Sequence, residues 1–224
     1  MSAESGIATF RDSGGLWEKY PVEQVATPEA FHDNPELVLS FYNHRRRELI
    51  RAAPNAGHLG LAAMERQFDL RIITQNVDNL HERAGSTTVL HLHGELMKVR
   101  STGDPSLIYT LDKDHIDIHW GDTCEKGFQL RPHIVWFGEP VPMIAEAAAW
   151  SETAEIFVII GTSMNVYPAA GLLNYVPPGV PVYLIDPKEV AVSRRNIRHI
   201  RKGASEGVEE LRQILEAGKK GSNG

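Results

Sequence analysis

A single cysteine, Cys124, stands in a chain of 224 residues, which excludes an internal disulfide and suits a reducing compartment. No apolar stretch reaches the roughly 20 residues that a membrane-spanning helix needs. The first residues hold no basic segment followed by an apolar run, so no secretory signal is read there. Excess positive charge is lacking too. The formal net charge of −6 argues against a nucleic-acid binder held through phosphate contacts. No internal repeat is present. These absences together point to a cytoplasmic globular protein with neither nucleic acid nor membrane as partner.

What is present is an alternation of helical stripes and apolar strands. The hydrophobic fraction of 42% is that of a globular core. Asn34-Pro-Glu36 combines a capping side chain, a proline at the first helical position and an acid in the first turn. It predicts a helix to about Ala53 whose stripe carries Val38, Phe41, Tyr42 and Leu49. A second helix is expected over His58–Phe68, strands over 70–74 and 88–91, and another strand over His133–Phe137. An Ala-rich helix around Met143–Trp150 follows. Ile156-Phe-Val-Ile-Ile160 and Val182-Tyr-Leu-Ile185 are continuous apolar runs, as expected of parallel strands buried on both faces. Val208, Leu211, Ile214 and Leu215 mark a final amphipathic helix. The fold class is therefore α/β, a doubly wound, Rossmann-like parallel sheet. Lys98–Gln129 is polar and irregular and reads as a small inserted module.

The densest polar segment is Ile73-Thr-Gln-Asn-Val-Asp-Asn-Leu-His81, followed by His91-Leu-His-Gly-Glu95. Ligands of open α/β sheets bind at the carboxyl ends of strands. Two strand ends would carry Gln75, Asn76, Asp78 and His93 toward one crevice. Imidazole titrates near neutrality, so His93 is the candidate general base. A histidine that merely caps a strand end is the plain alternative. His91 is expected to pack or to support its neighbours, and His81 to support the loop. On the first helix, Tyr42 and Arg45 are three apart and share a face. Arg45 is expected to point at the apolar stripe, with Arg46 and Arg47 reaching solvent more easily; a snorkelling or internally paired Arg45 is the alternative.

These segments resemble the signature of the sirtuins, NAD-dependent protein lysine deacylases. Three further blocks agree in order: Ser5-Gly-Ile-Ala-Thr-Phe-Arg11, Leu130-Arg-Pro-His-Ile-Val-Trp-Phe-Gly-Glu139, and Gly161-Thr-Ser163 before Val166. The resemblance covers about Ser2 to Leu215. It implies one sirtuin-type domain over 1–224. The Rossmann-like part would be about 1–35, 54–97 and 130–217, with a helical insert at about 36–53, a small module at about 98–129 and a flexible tail at 218–224.

In sirtuins the acyl oxygen of the substrate lysine displaces nicotinamide from its ribose, and a histidine then deprotonates the ribose hydroxyl that attacks the acyl carbon. His93, followed by Gly94, matches that histidine. Gln75, Asn76, Val77 and Asp78 match the nicotinamide and ribose contacts, and their donors and acceptors suit a carboxamide and hydroxyls. Gly161, Thr162 and Ser163 match a phosphate and ribose turn. Asp186 stands where the family usually has Asn for the adenosine ribose, and Ala204 where it contacts adenine. Phe10 and Arg11 match the loop that closes over the cofactor. Val135, Phe137, Gly138 and Val166 match the two edges that bind the substrate peptide. Phe41-Tyr-Asn-His-Arg45 resembles the class III members, whose Tyr and Arg hold the carboxylate of succinyl- or malonyl-lysine.

The resemblance implies a desuccinylase or demalonylase, weaker as a deacetylase, that releases nicotinamide and O-acyl-ADP-ribose. An ADP-ribosyltransferase and a non-catalytic NAD- or peptide-binding module are the alternatives. Two departures stand out. Most sirtuins bind zinc through two cysteine pairs, but 98–129 offers only Cys124, His115, His119 and acids, so no metal is expected, with a Cys/His/His site as the alternative. Met1 matches the family just after its first strand and Gly-Ala-Gly turn. That strand is therefore expected to belong upstream, in frame, with weak NAD binding as the alternative.

Overall fold

The computed structural model describes residues 1–7, 20–162, 169–189 and 197–221. A 3-10 turn, Ser2–Ser5, is followed by α1 Val22–Val25, α2 Pro28–Asp33, α3 Pro35–Arg51 and α4 Ala56–Met64. Next come β1 Ile72–Thr74, α5 Leu80–Ala84, β2 Val89–His91, β3 Gly94–Ser101, β4 Ile108–Thr110 and β5 Leu130–Ile134. The chain continues with α6 Ile144–Glu152, β6 Phe157–Ile160, a 3-10 segment Ala169–Tyr175, β7 Val182–Ile185, β8 Ile197–Ile200 and α7 Ala204–Gly221.

Capping sets the helix starts. The Thr27 side chain accepts from the Ala30 amide and that of Asn34 from the Leu37 amide, each with proline just inside the helix. Asn55 accepts from the Gly57 and His58 amides while His58 Nδ1 accepts from the Asn55 amide, a reciprocal box that starts α4. α3 ends two residues before the expected Ala53, because Pro54 disfavours helical backbone just ahead of it. α4 begins before the expected His58 and stops at Met64, well short of Phe68.

β1 and β2 pair in parallel, and β6, β7 and β8 form a second parallel sheet. The sheets are wound on both sides. Ile72, Ile185 and Ile200 face Leu61, Met64, Val208 and Leu211 of α4 and α7. On the opposite side Leu90 packs with Ala147 and Leu172, and Val182 and Leu184 with Leu173 and Val176. Between β1 and β6 lies a cavity of about 590 Å³ lined by Ile72, Ile73, Val158 and Ile160 among others. No helix among the described residues is long and apolar enough to cross a membrane.

Three expectations are corrected. The segment read as irregular from Lys98 onward opens inside β3, which pairs antiparallel with β4 and β5. Its charged residues alternate with apolar ones, so a strand with one wet face carries no apolar run to betray it. The strand expected over His133–Phe137 runs over Leu130–Ile134, and Val135–Gly138 leave the sheet. α7 continues through Gly221, well into the segment 218–224 expected as a tail.

Arg46, expected near solvent, is fully buried. Its Nε donates to the Leu96 carbonyl at 2.8 Å and its Nη1 to Asn43 Oδ1 at 2.6 Å. Burial pushes its pKa down to about 10, partly offset by Asp117 and Tyr42. Arg45 is only partly enclosed, and its guanidinium lies 5.9 Å from the Phe41 ring centre. The helical stripe is wide enough that the position after Arg45 faces β3.

Candidate active site

His93 sits on the short link between β2 and β3. Its Nδ1 lies 3.1 Å from the Gln75 carbonyl oxygen. A carbonyl can only accept, so Nδ1 carries the hydrogen and Nε2 keeps its lone pair. Burial holds the imidazole below its usual pKa, partly offset by the Gln75 bond. His93 is therefore neutral at neutral pH with a fixed basic nitrogen. Gly94 makes the link possible. It adopts φ +80°, and a Cβ there would stand 2.0 Å from the His133 carbonyl oxygen.

The Gln75–Asp78 segment is held at every residue. Gln75 Nε2 donates to Thr162 Oγ1 at 3.4 Å, bridging the end of β1 to the end of β6. The Asn76 amide donates to Thr74 Oγ1 and its Nδ2 to Ser2 Oγ. The Val77 carbonyl accepts from the Leu96 amide at 2.8 Å. Asp78 is buried, and its Oδ1 accepts from the Leu80 amide. Gly161, at φ +60°, closes β6 with its amide on the Ile185 carbonyl. His81, expected to support the loop, is buried edge-on against His58 with ring centres 4.8 Å apart.

Further along the strand ends, the Asp186 amide donates to the Ile200 carbonyl and its carboxylate accepts from the Lys188 amide at 2.8 Å. Ala204 opens α7, and its amide donates to Glu4. The Glu4 carboxylate thus caps α7, accepting from the Ser205 amide and hydroxyl as well. Those partners hold Glu4 below its usual pKa against the penalty of burial.

The helical insert joins the site through Trp136, whose indole N–H donates to Tyr42 Oη at 2.8 Å. Burial drives the Tyr42 pKa up to about 12, against the pull of Arg45 and Trp136. Burial lowers the Arg45 pKa, against Tyr42, Glu48 and Asp78, so Arg45 stands within electrostatic reach of the polar segment. The Val135 amide donates to the His93 carbonyl at 3.0 Å, which ties the 135–138 segment directly to the candidate base. Phe137 is 54% exposed, and Gly138 takes φ +89°.

Hydrogen bonds thus join Gln75 to His93 and to Thr162, His93 to Val135, and Tyr42 to Trp136, while Asp186 and Ala204 lie beyond the ends of β7 and β8. Phe10, Arg11, Ser163 and Val166 lie outside the described residues. Sequence reasoning missed Ser2, Glu4, Asn55 and Glu82. Glu4 and its partner Ser205 are 201 residues apart, and no local pattern marks such a pair. Among the described residues no group of three or more His, Cys, Asp or Glu is placed to hold a metal ion. Cys124 instead lies 3.3 Å from Ser101 Oγ.

Comparison with known proteins accounts for this arrangement. A family model described as the Sir2 family matches residues 1–168. An NAD-dependent protein deacylase of Bacteroides thetaiotaomicron is 61% identical over 219 residues, covering 96% of this chain and 94% of that protein. An NAD-dependent protein deacylase of Helicobacter pylori is 48% identical over 212 residues, covering 94% of this chain and 89% of that protein. A solved Sir2 homologue–NAD complex superposes with a TM-score of 0.86 at 39% identity, covering 96% of this chain and 86% of that one. With the family model spanning most of the chain and a relative 61% identical along nearly its whole length, the chain belongs to the Sir2 family.

Proposed function

We infer that this Sir2-family enzyme uses NAD to remove acyl groups from lysine side chains of protein or peptide substrates, and that it favours acyl chains ending in a carboxylate. The observation that carries the reading is the His93 imidazole, neutral and locked in one tautomer by Gln75. A base of that kind takes a proton from a hydroxyl and contributes about 10²–10⁴ to a rate.

The residues fit NAD. The ends of β1, β6 and β7 supply Gln75, Asn76 and Asp78 for a carboxamide and ribose, Gly161 and Thr162 for a phosphate or ribose, and Asp186 for the second ribose. When bound, NAD supplies a ribose carbon bearing a nicotinamide leaving group. Asn76 and Asp78 would orient that group, and Gln75 would steady the adjoining hydroxyls. His93 Nε2 would accept the hydroxyl proton. Val135 and Phe137 would line the lysine channel, with Gly138 on the peptide-binding edge, where an added strand gives sequence-tolerant recognition.

Acyl preference rests on Tyr42 and Arg45. The Tyr42 oxygen accepts from Trp136, so its own hydrogen is left for another acceptor, and Arg45 lies next to it on the helix face. A phenol and a guanidinium side by side suit a carboxylate. An ADP-ribosyltransferase would have no use for that pair. The small module is read as zinc-free, held by β3, β4 and β5. The single cysteine suits the cytoplasm.

The test is incubation with NAD and succinyl-, malonyl- or acetyl-lysine peptides, following nicotinamide and O-acyl-ADP-ribose. Nicotinamide release without deacylated peptide would favour ADP-ribosyl transfer. No release at all would leave a binding module.

A further inference from the structure

His91 ends β2, two residues before the candidate base, and is itself unused by the chemistry. Its side chain is only 7% exposed and it has two close partners. Nδ1 is 3.2 Å from the Asn76 carbonyl oxygen, and Nε2 is 2.7 Å from Glu82 Oε1. A carbonyl oxygen can only accept, and so can an ionised carboxylate. Two acceptors on one ring require hydrogens on both nitrogens, which makes His91 an imidazolium.

We propose that the His91–Glu82 ion pair is a positioning clip for the reaction: protonated His91 holds the Asn76 carbonyl, and with it the Gln75–Asp78 segment, in the geometry that receives NAD. The inference rests on the reading of Asn76 and Asp78 as cofactor contacts. Among the described residues the clip is the only support of Asn76 that carries charge; Thr74 and Ser2 hold its amide and side chain through neutral bonds.

The charges around the ring agree. Burial opposes the imidazolium, but the Glu82 bond and charge, the charge of Glu95 on β3 and the Asn76 carbonyl together raise the His91 pKa above 6.5. His81 on α5, beside Glu82, is the other nearby imidazole; its own pKa is lowered first by burial, with His91 adding to the effect, which favours its neutral form. Burial pushes the Glu82 pKa up, but the His91 bond, a backbone hydrogen bond and the charges of His91 and His81 together hold it below its usual value.

The consequence has a sign. A raised pKa means that the clip is fully closed below 6.5 and opens as pH rises through the higher value in the fold. The shorter bond to Glu82 keeps the hydrogen on Nε2, so Nδ1 is the nitrogen that loses its own. Its lone pair then faces the Asn76 carbonyl lone pair, and attraction becomes repulsion. NAD use therefore falls on the alkaline side through His91, whereas it falls on the acid side through His93.

The experiment is the pH profile of kcat/KM for NAD with an acyl-lysine peptide, for the wild type, Glu82→Gln and His91→Phe. A glutamine at 82 can donate to Nε2, so a neutral His91 keeps the hydrogen on Nδ1. The alkaline limb of the wild type then disappears in Glu82→Gln, while the acid limb of His93 remains. His91→Phe loses the charged hydrogen bond, lowers kcat/KM for NAD roughly tenfold and shows no alkaline limb. Imidazole nitrogen NMR of the wild type at pH 6 supplies a readout without variants, and both His91 nitrogens are expected to be protonated. A neutral His91 in that spectrum, or an alkaline limb unchanged in Glu82→Gln, overturns the clip. A wild type that releases no nicotinamide overturns instead the deacylase reading.

Discussion

The indole N–H of Trp136 donates to the phenol oxygen of Tyr42 at 2.8 Å, and both residues are almost wholly buried. This bond joins the helical insert to the segment that leaves β5, and it orients the Tyr42 hydroxyl. Tyr42→Phe would strand a buried donor. The expected cost is about 1–3 kcal/mol of stability, together with a loss of preference for acidic acyl groups. Denaturant melts and paired kcat/KM values check both.

Arg45→Met should weaken succinyl- and malonyl-lysine turnover by roughly 10–150-fold, the range for a hydrogen bond to a charged group. Acetyl-lysine has no carboxylate and should change little. Equal losses on both substrates would make Arg45 a structural residue.

His93→Ala should leave the fold intact and reduce turnover by about 10²–10⁴. In the wild type, burial lowers the His93 pKa, so the acid limb of kcat should fall below 6.5. Single-turnover rates across pH, with circular dichroism of the variant, decide the matter. A folded variant with near-normal deacylation would remove His93 from the mechanism.

His58 is fully buried, and its Nε2 finds no hydrogen-bond partner among the described residues. Burial, aided by the neighbouring His81, pushes its pKa down to about 4. The unfolded chain then binds more protons than the fold between about 6.5 and 4. Stability should fall as pH drops through that window, by up to about 3 kcal/mol. Glutamine at this position can still complete the cap with Asn55. His58→Gln should therefore flatten the acid slope of thermal melts, and parallel slopes would refute the assignment.

Purified, untagged protein should contain far less than one equivalent of zinc. Elemental analysis checks this directly. A full equivalent that disappears on mutating Cys124 would show that the small module holds a metal after all.

The candidate site was legible where its residues follow strand ends. Gln75, Asn76, Asp78 and His93 come from two adjacent parallel strands, and apolar runs ending in polar clusters mark such ends in any sequence. The helix start at Asn34 could be read, since capping is a local matter of a few residues. β3 was harder, because its wet face interrupts the apolar pattern. The burial of Arg46 was harder still. Neighbouring positions on a helix differ by about 100° of rotation, and only the position of β3 decides which of them is buried.

Composition, periodicity and the ordered motifs alone determined the fold class and pointed to His93 as the candidate base. Tertiary structure alone decided the tautomer of His93, the charge of His91, the Tyr42–Trp136 bond and the Glu4 cap on α7. The reason is physical. A residue type states which hydrogen bonds a side chain can make, but its protonation and orientation depend on which partners the fold brings within about 3 Å. Those partners here come from distant parts of the chain, as with Glu4 and Ser205, 201 residues apart.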